Sequence, residues 1–589
     1  MRRARSHFTG AIKTMRVLLA LSAILALTAC ATTPAARGPV AVKIIALNDF
    51  HGALEPPKAS VPATDATGTA VQVPAGGAAY LAAAVARLKA ANPNNLVVAA
   101  GDLTSASPFA SSQFLDEPSI LAMNMIGLDL NAVGNHEFDR GPDELLRLQN
   151  GGCAKHTART PCRVDARFPG AKFRYLAANV RTRDGATLFP ATAIRDVAGA
   201  RIGFIGLTLK TTPSLVVPTN VATLRFEDEA ATINALVPKL RAQGADAIVV
   251  LIHQGVYAKG YNGEGCAAMT GPLLPILAKL DPAVDVVVSG HTHNAYVCDY
   301  AAVDPARPFL VTSAGKSGML LTDIDLSIDR AAHRVAGKRA TNLIVQGEGY
   351  DAAAGPVPVQ PAFPVYPAEP AVGSLVARYV AAAEPIAKRI VGRLSGPASR
   401  DRNASGESVL GDLVADSQLA ASRADIAFMN SYGLRADLVP AADGSVTYGQ
   451  LYAVQPFGNV VQVKGLTGRQ LRAVLEQQFD SGTNTVANPN MLAGSRGFTY
   501  AYDLRRPAGE RVRDLRLNGQ AIADDRVYRV ALSNFLATGG DNFTVFASGT
   551  DLAGGPEDVD ALEAYVAAHP GMTPPVANRI TRLDPPPAK

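Results

Sequence analysis

From Val42 onward, short apolar runs alternate with longer mixed stretches. The runs are VKIIALN, NNLVVAAGD, DLNAVGN, ARIGFIGLT, ADAIVVLIHQG and VDVVVSGHTH. Apolar segments of this length, bounded by Gly, Asn and Asp, predict buried strands, and the stretches between them predict helices. Strands alternating with helices give α/β layering. Most of the runs end on a polar residue just past the strand, where such folds place their ligands.

The pattern then changes. GPVPVQPAFPVYPAEP (355–370) is proline-rich, and AVGSLVARYVAAAEPIAKRI (371–390) reads as a helix. A second patterned region follows from about Leu394. It has a predicted helix around Ser408–Ser422, a strand DIAFMN, a helix LTGRQLRAVLEQQFD and a terminal motif NFLATGGDN. No internal repeat and no coiled-coil heptad is present. The expected division is 41–350 for the first domain, 351–393 for a linker and connecting helix, and 394–585 for the second domain. A chain of 589 residues fits more than one domain.

The N-terminus carries a different pattern. Arg2, Arg3, Arg5, Lys13 and Arg16 precede an apolar run from Val17 to Leu27. That run is short for a bilayer span and reads as a signal-peptide core. It ends Leu27-Thr28-Ala29-Cys30, which resembles a bacterial lipoprotein box, with Cys30 as the lipidated residue. Residues 1–30 are then the signal peptide and 31–40 a tether. An ordinary signal peptide is the competing reading, and Met15 is an alternative start. The expected location is the bacterial cell envelope, periplasmic or at the outer membrane, with a lipid anchor at Cys30.

With Cys30 acylated, Cys153, Cys162, Cys266 and Cys298 remain. An even number in an exported chain suggests disulfides. Three connectivities exist, and the most local pairs Cys153 with Cys162 and Cys266 with Cys298. Zinc ligation competes, but no C-x-x-C spacing is present. The hydrophobic fraction of 48% suits globular cores, and the net charge of +5 is spread thinly. No basic cluster argues for a nucleic-acid polymer as partner, and nothing in the sequence calls for an obligate protein partner.

The chemistry lies at the strand ends. They carry D-x-H (Asp49, His51), G-D (Asp102), G-N-H-E (Asn135, His136), an isolated His253 and G-H-x-H (His291, His293). Carboxylate, amide oxygen and imidazole are ligands for borderline divalent metals. Taken singly, a D-x-H is usually a turn and a buried histidine a core residue. Five such pieces in this order, each beyond a predicted strand, point to a metal site. Here the chain resembles the calcineurin-like metallophosphoesterases. The resemblance implies a four-layered α/β sandwich and two divalent ions, with zinc, manganese, cobalt or iron all fitting. One ion would take Asp49, His51, Asp102 and His293, and the other Asp102, Asn135, His253 and His291. Asp102 then bridges, and such a pair activates water near neutral pH. His136 would act at the phosphoryl group, oriented by Asp139 at i, i+3.

GDLVAD, ADIAFMNSYGLR, LYAVQPFGN, LTGRQLRAVLE and NFLATGGDN resemble the smaller α/β C-terminal domain of the 5'-nucleotidases. The resemblance includes periplasmic UDP-sugar hydrolases and ecto-5'-nucleotidases. It implies that Phe457 and Phe535 stack on a nucleobase, Asp541 takes the ribose hydroxyls, Asn430 meets a base edge and Arg435 holds phosphate. Arg400 and Arg402 are candidates for a further phosphate-binding arginine. The chain departs from the family at Ser431 and Tyr432, where glycines are usual, and at Asn542, also usually glycine.

The expected activity is hydrolysis of nucleoside 5'-monophosphates to nucleoside and phosphate, extending to UDP-sugars or other nucleotides, in nucleotide scavenging. The second domain would bring the nucleotide to the metals. The alternatives are a 2',3'-cyclic nucleotide phosphodiesterase, a thiosulfohydrolase on the same scaffold, and a non-catalytic nucleotide-binding surface protein.

Overall fold

The computed structural model describes residues 38–584, except 158, 217, 259–262, 267–268 and 353–354. The expected signal peptide, Cys30 and most of the expected tether lie outside the described residues. No helix among the described residues is long and apolar enough to cross a membrane.

Two sheets form the first half. Strands β1 (Val40–Leu47), β2 (Asn95–Ala99), β3 (Leu130–Ala132) and β4 (Arg174–Leu176) run parallel. The second sheet contains β5 (Thr192–Val197), β6 (Ala200–Thr208), β7 (Ala247–His253), β8 (Gly263–Glu264), β9 (Val286–Ser289), β10 (Ala295–Asp299) and β11 (Leu310–Ala314). Strands β12 (Leu320–Asp329) and β13 (Arg334–Ile344) return to the first sheet as its antiparallel edge. The spatial orders are β13-β12-β1-β2-β3-β4 and β8-β10-β11-β9-β7-β6-β5.

Side-chain alternation builds the layers. On β1, Val42, Ile44 and Ala46 face Phe204, Val249 and Val288 of the other sheet in a core between the sheets. Ile45 and Leu47 point the opposite way, onto α1 (Ala78–Ala91), α2 (Glu117–Ile126) and α3 (Gly141–Asn150). On β7, Ile248, Val250 and Ile252 pack against Ile233, Val237 and Leu240 of α4 (Glu229–Ala242). Helix, sheet, sheet and helix make four layers, with strands apolar on both faces because both faces are covered. The expected four-layered sandwich is observed.

Helix α5 (Pro370–Ala387), from the connecting segment, lays Val372, Leu375, Tyr379 and Ala383 into the core of the first half. The later half folds around a five-stranded sheet. Its order is Leu492–Gly494, Ile426–Asn430, Val527–Ser533, Val460–Thr467, Thr550–Glu557. Helices α6 (Val409–Ala421), α7 (Gly468–Glu476) and α8 (Asp558–Ala568) cover it. Both α6 and α7 start on side-chain caps, Ser408 and Thr467, and Thr467 forms a reciprocal capping box with Gln470. Disulfides join Cys153 to Cys162 and Cys266 to Cys298.

Candidate metal centre and nucleotide cleft

Parallel register brings the strand ends together. β1 pairs with β2 from Lys43↔Asn95 to Leu47↔Ala99, so Asp49 and Asp102 emerge side by side. β7 pairs in parallel with β6 and β9, which delivers His253 and the 290–293 loop to the same edge. All seven candidate metal ligands converge there. Asp49, His51, Asp102, His291 and His293 all have positive φ, between 46° and 70°. Left-handed backbone is uncommon outside glycine and costs free energy, although Asp and His tolerate it better than most residues. Each turn aims its side chain back at the cluster.

Donor and acceptor geometry tests whether the cluster suits cations. His51 Nδ1 donates to the Ser105 carbonyl at 3.0 Å, which leaves its Nε2 lone pair facing His293 Nε2 at 3.2 Å. Either a His293 N–H or a cation between the rings satisfies that lone pair. His253 Nδ1 donates to the Ala100 carbonyl at 2.7 Å. Its Nε2 then faces Asp102 Oδ2 at 2.9 Å and Asn135 Oδ1 at 3.1 Å, and His291 Nδ1 lies 3.1 Å from the same amide oxygen. These donors form two groups, Asp49–His51–His293 and Asp102–His253–His291. Asp102 Oδ2 is also 3.7 Å from His51 Nε2, so it lies between the groups.

The titration pattern agrees with this chemistry. Burial holds His51 and His291 down at about 3, which keeps their lone pairs free. Burial pushes Asp49 up to about 7. Burial also opposes charge on His253, but the Asp102 carboxylate outweighs it and raises that ring to about 10. Without a metal, a proton is the cation drawn to this position. The residues therefore fit a pair of divalent ions, with histidines oriented through their second ring nitrogen.

Further contacts hold the centre rigid. Glu137 accepts from the amides of Asp102, Leu103 and Gly134 at 2.9, 2.7 and 2.7 Å. It is buried, and the G-N-H-E motif alone does not disclose these bonds. Asn48 donates to Asp49 at 2.7 Å and to the Gly315 carbonyl at 2.7 Å. The amide of His291 donates to Asp49 Oδ2 at 2.9 Å. Gly134 has no room for a side chain, since a Cβ there would stand 2.1 Å from Asp102 Oδ1.

His136 sits beside the ligands on a short 3-10 turn. Its Nδ1 bonds Asp139 Oδ2 at 2.8 Å, and its amide donates to Asp102 Oδ1 at 2.9 Å. Burial opposes charge on this ring, but Asp139 and Asp102 outweigh it and raise its pKa.

The second half of the chain reaches this point. The Phe457 ring stacks on His136 with centroids 5.9 Å apart and planes at 15°. The Arg435 guanidinium lies 5.6 Å from the centre of the Phe457 ring. Phe535 instead covers Gly540, where a Cβ would meet its ring at 2.5 Å, and no ring contact joins it to Phe457 among the described residues. Asn430 Nδ2 donates to Asp541 Oδ2 at 2.6 Å. Asp541 and Asn542 have φ of 54° and 65°. Asparagine tolerates this conformation, which accounts for its standing where glycine is usual. Tyr432 is about half exposed on the cleft wall. Arg400 pairs with Asp437 at 3.2 Å, and Arg402 donates to the Pro489 carbonyl at 3.3 Å. Both line a cleft of ≈ 420 Å³ with His293, Lys316 and Arg435.

Residues 42–295 match the calcineurin-like phosphoesterase family and residues 390–548 match the 5'-nucleotidase C-terminal domain. The chain is 30% identical over 530 residues to Endonuclease YhcR of Bacillus subtilis (strain 168), covering 90% of this chain and 40% of that protein. It thus spans less than half of that relative. It is 25% identical over 608 residues to the 5'-nucleotidase of Bos taurus, covering 97% of this chain and 95% of the relative. The structure of a 5'-nucleotidase precursor from Thermus thermophilus superposes with a TM-score of 0.70 at 25% identity, covering 93% of this chain and 100% of that one.

Proposed function

Because this chain belongs to the 5'-nucleotidase family and is a metal-dependent phosphoester hydrolase, we propose that it hydrolyses nucleoside 5'-monophosphates to nucleoside and phosphate. The supporting observation is the stack of Phe457 on His136, with Arg435 against the same ring. It joins an aromatic surface suited to a base with a group suited to a phosphoryl centre.

In this reading Asp49, His51, Asp102 and His293 would hold one divalent ion, and Asp102, Asn135, His253 and His291 would hold the other. When bound, the ions supply Lewis acidity and a water acidic enough to attack phosphorus at neutral pH. Arg435 grips phosphate oxygens through its planar fork. Asp139 accepts from His136 Nδ1, which leaves Nε2 to hydrogen-bond the phosphoryl group and stabilise developing charge. Phe457 and Phe535 contribute base stacking. Asn430 orients Asp541 for the ribose hydroxyls. The working division is 41–350 for the metal domain, 351–393 for the connector and 394–585 for the nucleotide domain. The location that goes with this reading is the cell envelope, with a lipid on Cys30.

The test is product analysis on AMP, UDP-glucose, 2',3'-cyclic AMP and thiosulfate-ester substrates with manganese, cobalt or zinc present. Adenosine and phosphate from AMP are expected. No hydrolysis of any nucleotide would end the reading. A second reading, phosphodiester cleavage in a nucleic-acid strand, is favoured by the identity to an endonuclease. Faster release from an oligonucleotide than from AMP would select it.

A further inference from the structure

Segments far apart in the chain meet at one buried carboxylate beside the metal centre. Asp116 stands at the start of α2, where an aspartate ordinarily caps its own helix. Its side chain makes no such bond and turns elsewhere. Oδ2 accepts from the Ser105 amide at 3.0 Å and from Arg140 Nη1 at 2.6 Å, and Oδ1 accepts from Ser111 Oγ at 2.7 Å. Asp116 is fully buried. Burial opposes its charge, but Arg140 and the hydroxyls of Ser107 and Ser111 outweigh it and hold the carboxyl below its ordinary range. The group is therefore an ionised acceptor whose bonds all lead away from the helix it begins.

Two of those bonds lead to the site. The carbonyl of Ser105 accepts from His51 Nδ1 at 3.0 Å, so its position decides where Nε2 of that ring points. The backbone around it does not hold this shape by itself. Ser105 and Ala106 have φ of 65° and 47°, and Leu115 and Asp116 have φ of 56° and 60°. Side chains persist in this region only where their surroundings over-determine them. The bond from the Ser105 amide to Asp116 joins these two left-handed turns. Arg140 directly follows Asp139, which bonds His136 Nδ1. One carboxylate thus ties the loop behind His51 to the turn that carries His136, and those two rings lie 5.2 Å apart. Neither Asp116 nor Arg140 belongs to a candidate ligand group.

We propose that Asp116 and Arg140 are positioning residues for the metal centre. Together they hold the Ser105 carbonyl against His51 and so set the affinity of the Asp49–His51–His293 group for its divalent ion. This rests on His51 being a metal ligand and on no particular phosphoester substrate.

Calorimetric titration of manganese or cobalt into the metal-stripped full chain tests this. Asp116→Ala should weaken one of the two binding steps by roughly 10–100-fold, the scale of losing an outer partner of a metal ligand, and leave the other unchanged. The double variant Asp116→Ala/Arg140→Met leaves no unpaired charge behind, so it keeps the test open if the single variant fails to fold, and it should show the same loss. Arg140→Lys should keep most of the wild-type affinity. His51→Ala should lose the same step that Asp116→Ala weakens. Both steps weakened alike would mark a general structural role and overturn the proposal, as would a wild-type isotherm in the folded double variant. If His51→Ala binds both ions as the wild type does, the ligand assignment itself fails and the proposal falls with it. The nucleotidase reading fails on a different result, the absence of phosphate release from AMP by a wild-type chain that binds its metal.

Discussion

At the scale of single residues, the metal centre is held in place largely by backbone hydrogen bonds. Glu137 is not itself a proposed ligand, yet it fixes the Asp102 loop and the Gly134 turn through three amides. Glu137→Gln keeps one acceptor oxygen and sets an amide N–H against at least one of those N–H groups. The expected result is roughly 10–100-fold weaker metal binding, the effect of losing an outer-shell partner, measured by metal titration of activity. Replacement of the His136 ring should act differently, since it faces the phosphoryl site. His136→Ala should lower kcat by roughly 100-fold or more at saturating metal, the usual scale of general acid catalysis. Unchanged turnover would remove His136 from the chemistry. The candidate ligands were legible in the sequence because they stand at or just beyond strand ends. The hydrogen bonds of Glu137 and Asn48 were not, because they depend on which loops the register brings together.

At the scale of elements, alternation along β1 and β7 carried the layering, since each face of a covered strand must be apolar. The second half was less legible. Its β-ladder pairs Ile426–Asn430 with strands about a hundred residues later, which no local pattern announces. Helix α6 also hides a cluster of carboxylates. Glu407, Asp412 and Asp416 are buried around Arg579, which bonds Asp416 at 2.8 Å and lies 3.6 Å from Asp412. Burial pushes Asp412 up to about 9, from an ordinary value of 3.8. A carboxyl raised on folding keeps its proton in the native state. Its contribution to stability is therefore complete below its unfolded pKa and is lost as pH rises toward about 9. Asp412→Asn removes this dependence. The stability of the variant relative to wild type should improve by roughly 1 kcal/mol per pH unit between about pH 5 and about pH 8. Parallel melting curves across that range would show the cluster to be insensitive.

At the scale of the whole molecule, the two halves meet at the proposed active site. Phe109 from the first half packs edge-on against Tyr448 and Tyr452 of the second, at 5.9 and 5.1 Å, and Arg159 covers Tyr452 at 5.3 Å. Tyr448 and Tyr452 lie on the helix that precedes Phe457, the ring stacked on His136. Phe457→Ala should raise KM by roughly 10–100-fold, equivalent to about 1–3 kcal/mol of stacking, with a smaller effect on kcat. A change in kcat alone would assign the ring to positioning His136. Two motif sets far apart in the chain were legible in the sequence, but their meeting was not. The ring stack that joins them follows from tertiary packing.

We propose that two metal ions, held where the strand ends converge, drive nucleotide hydrolysis. The most direct test is phosphate release from AMP while a divalent metal is titrated into stripped enzyme. Negligible release from the stripped protein and a plateau at two ions per chain are expected. Asp102→Asn, which removes the carboxylate proposed to be shared, is expected not to reach that plateau. Full activity in the stripped protein, or saturation at one ion, would contradict the proposal.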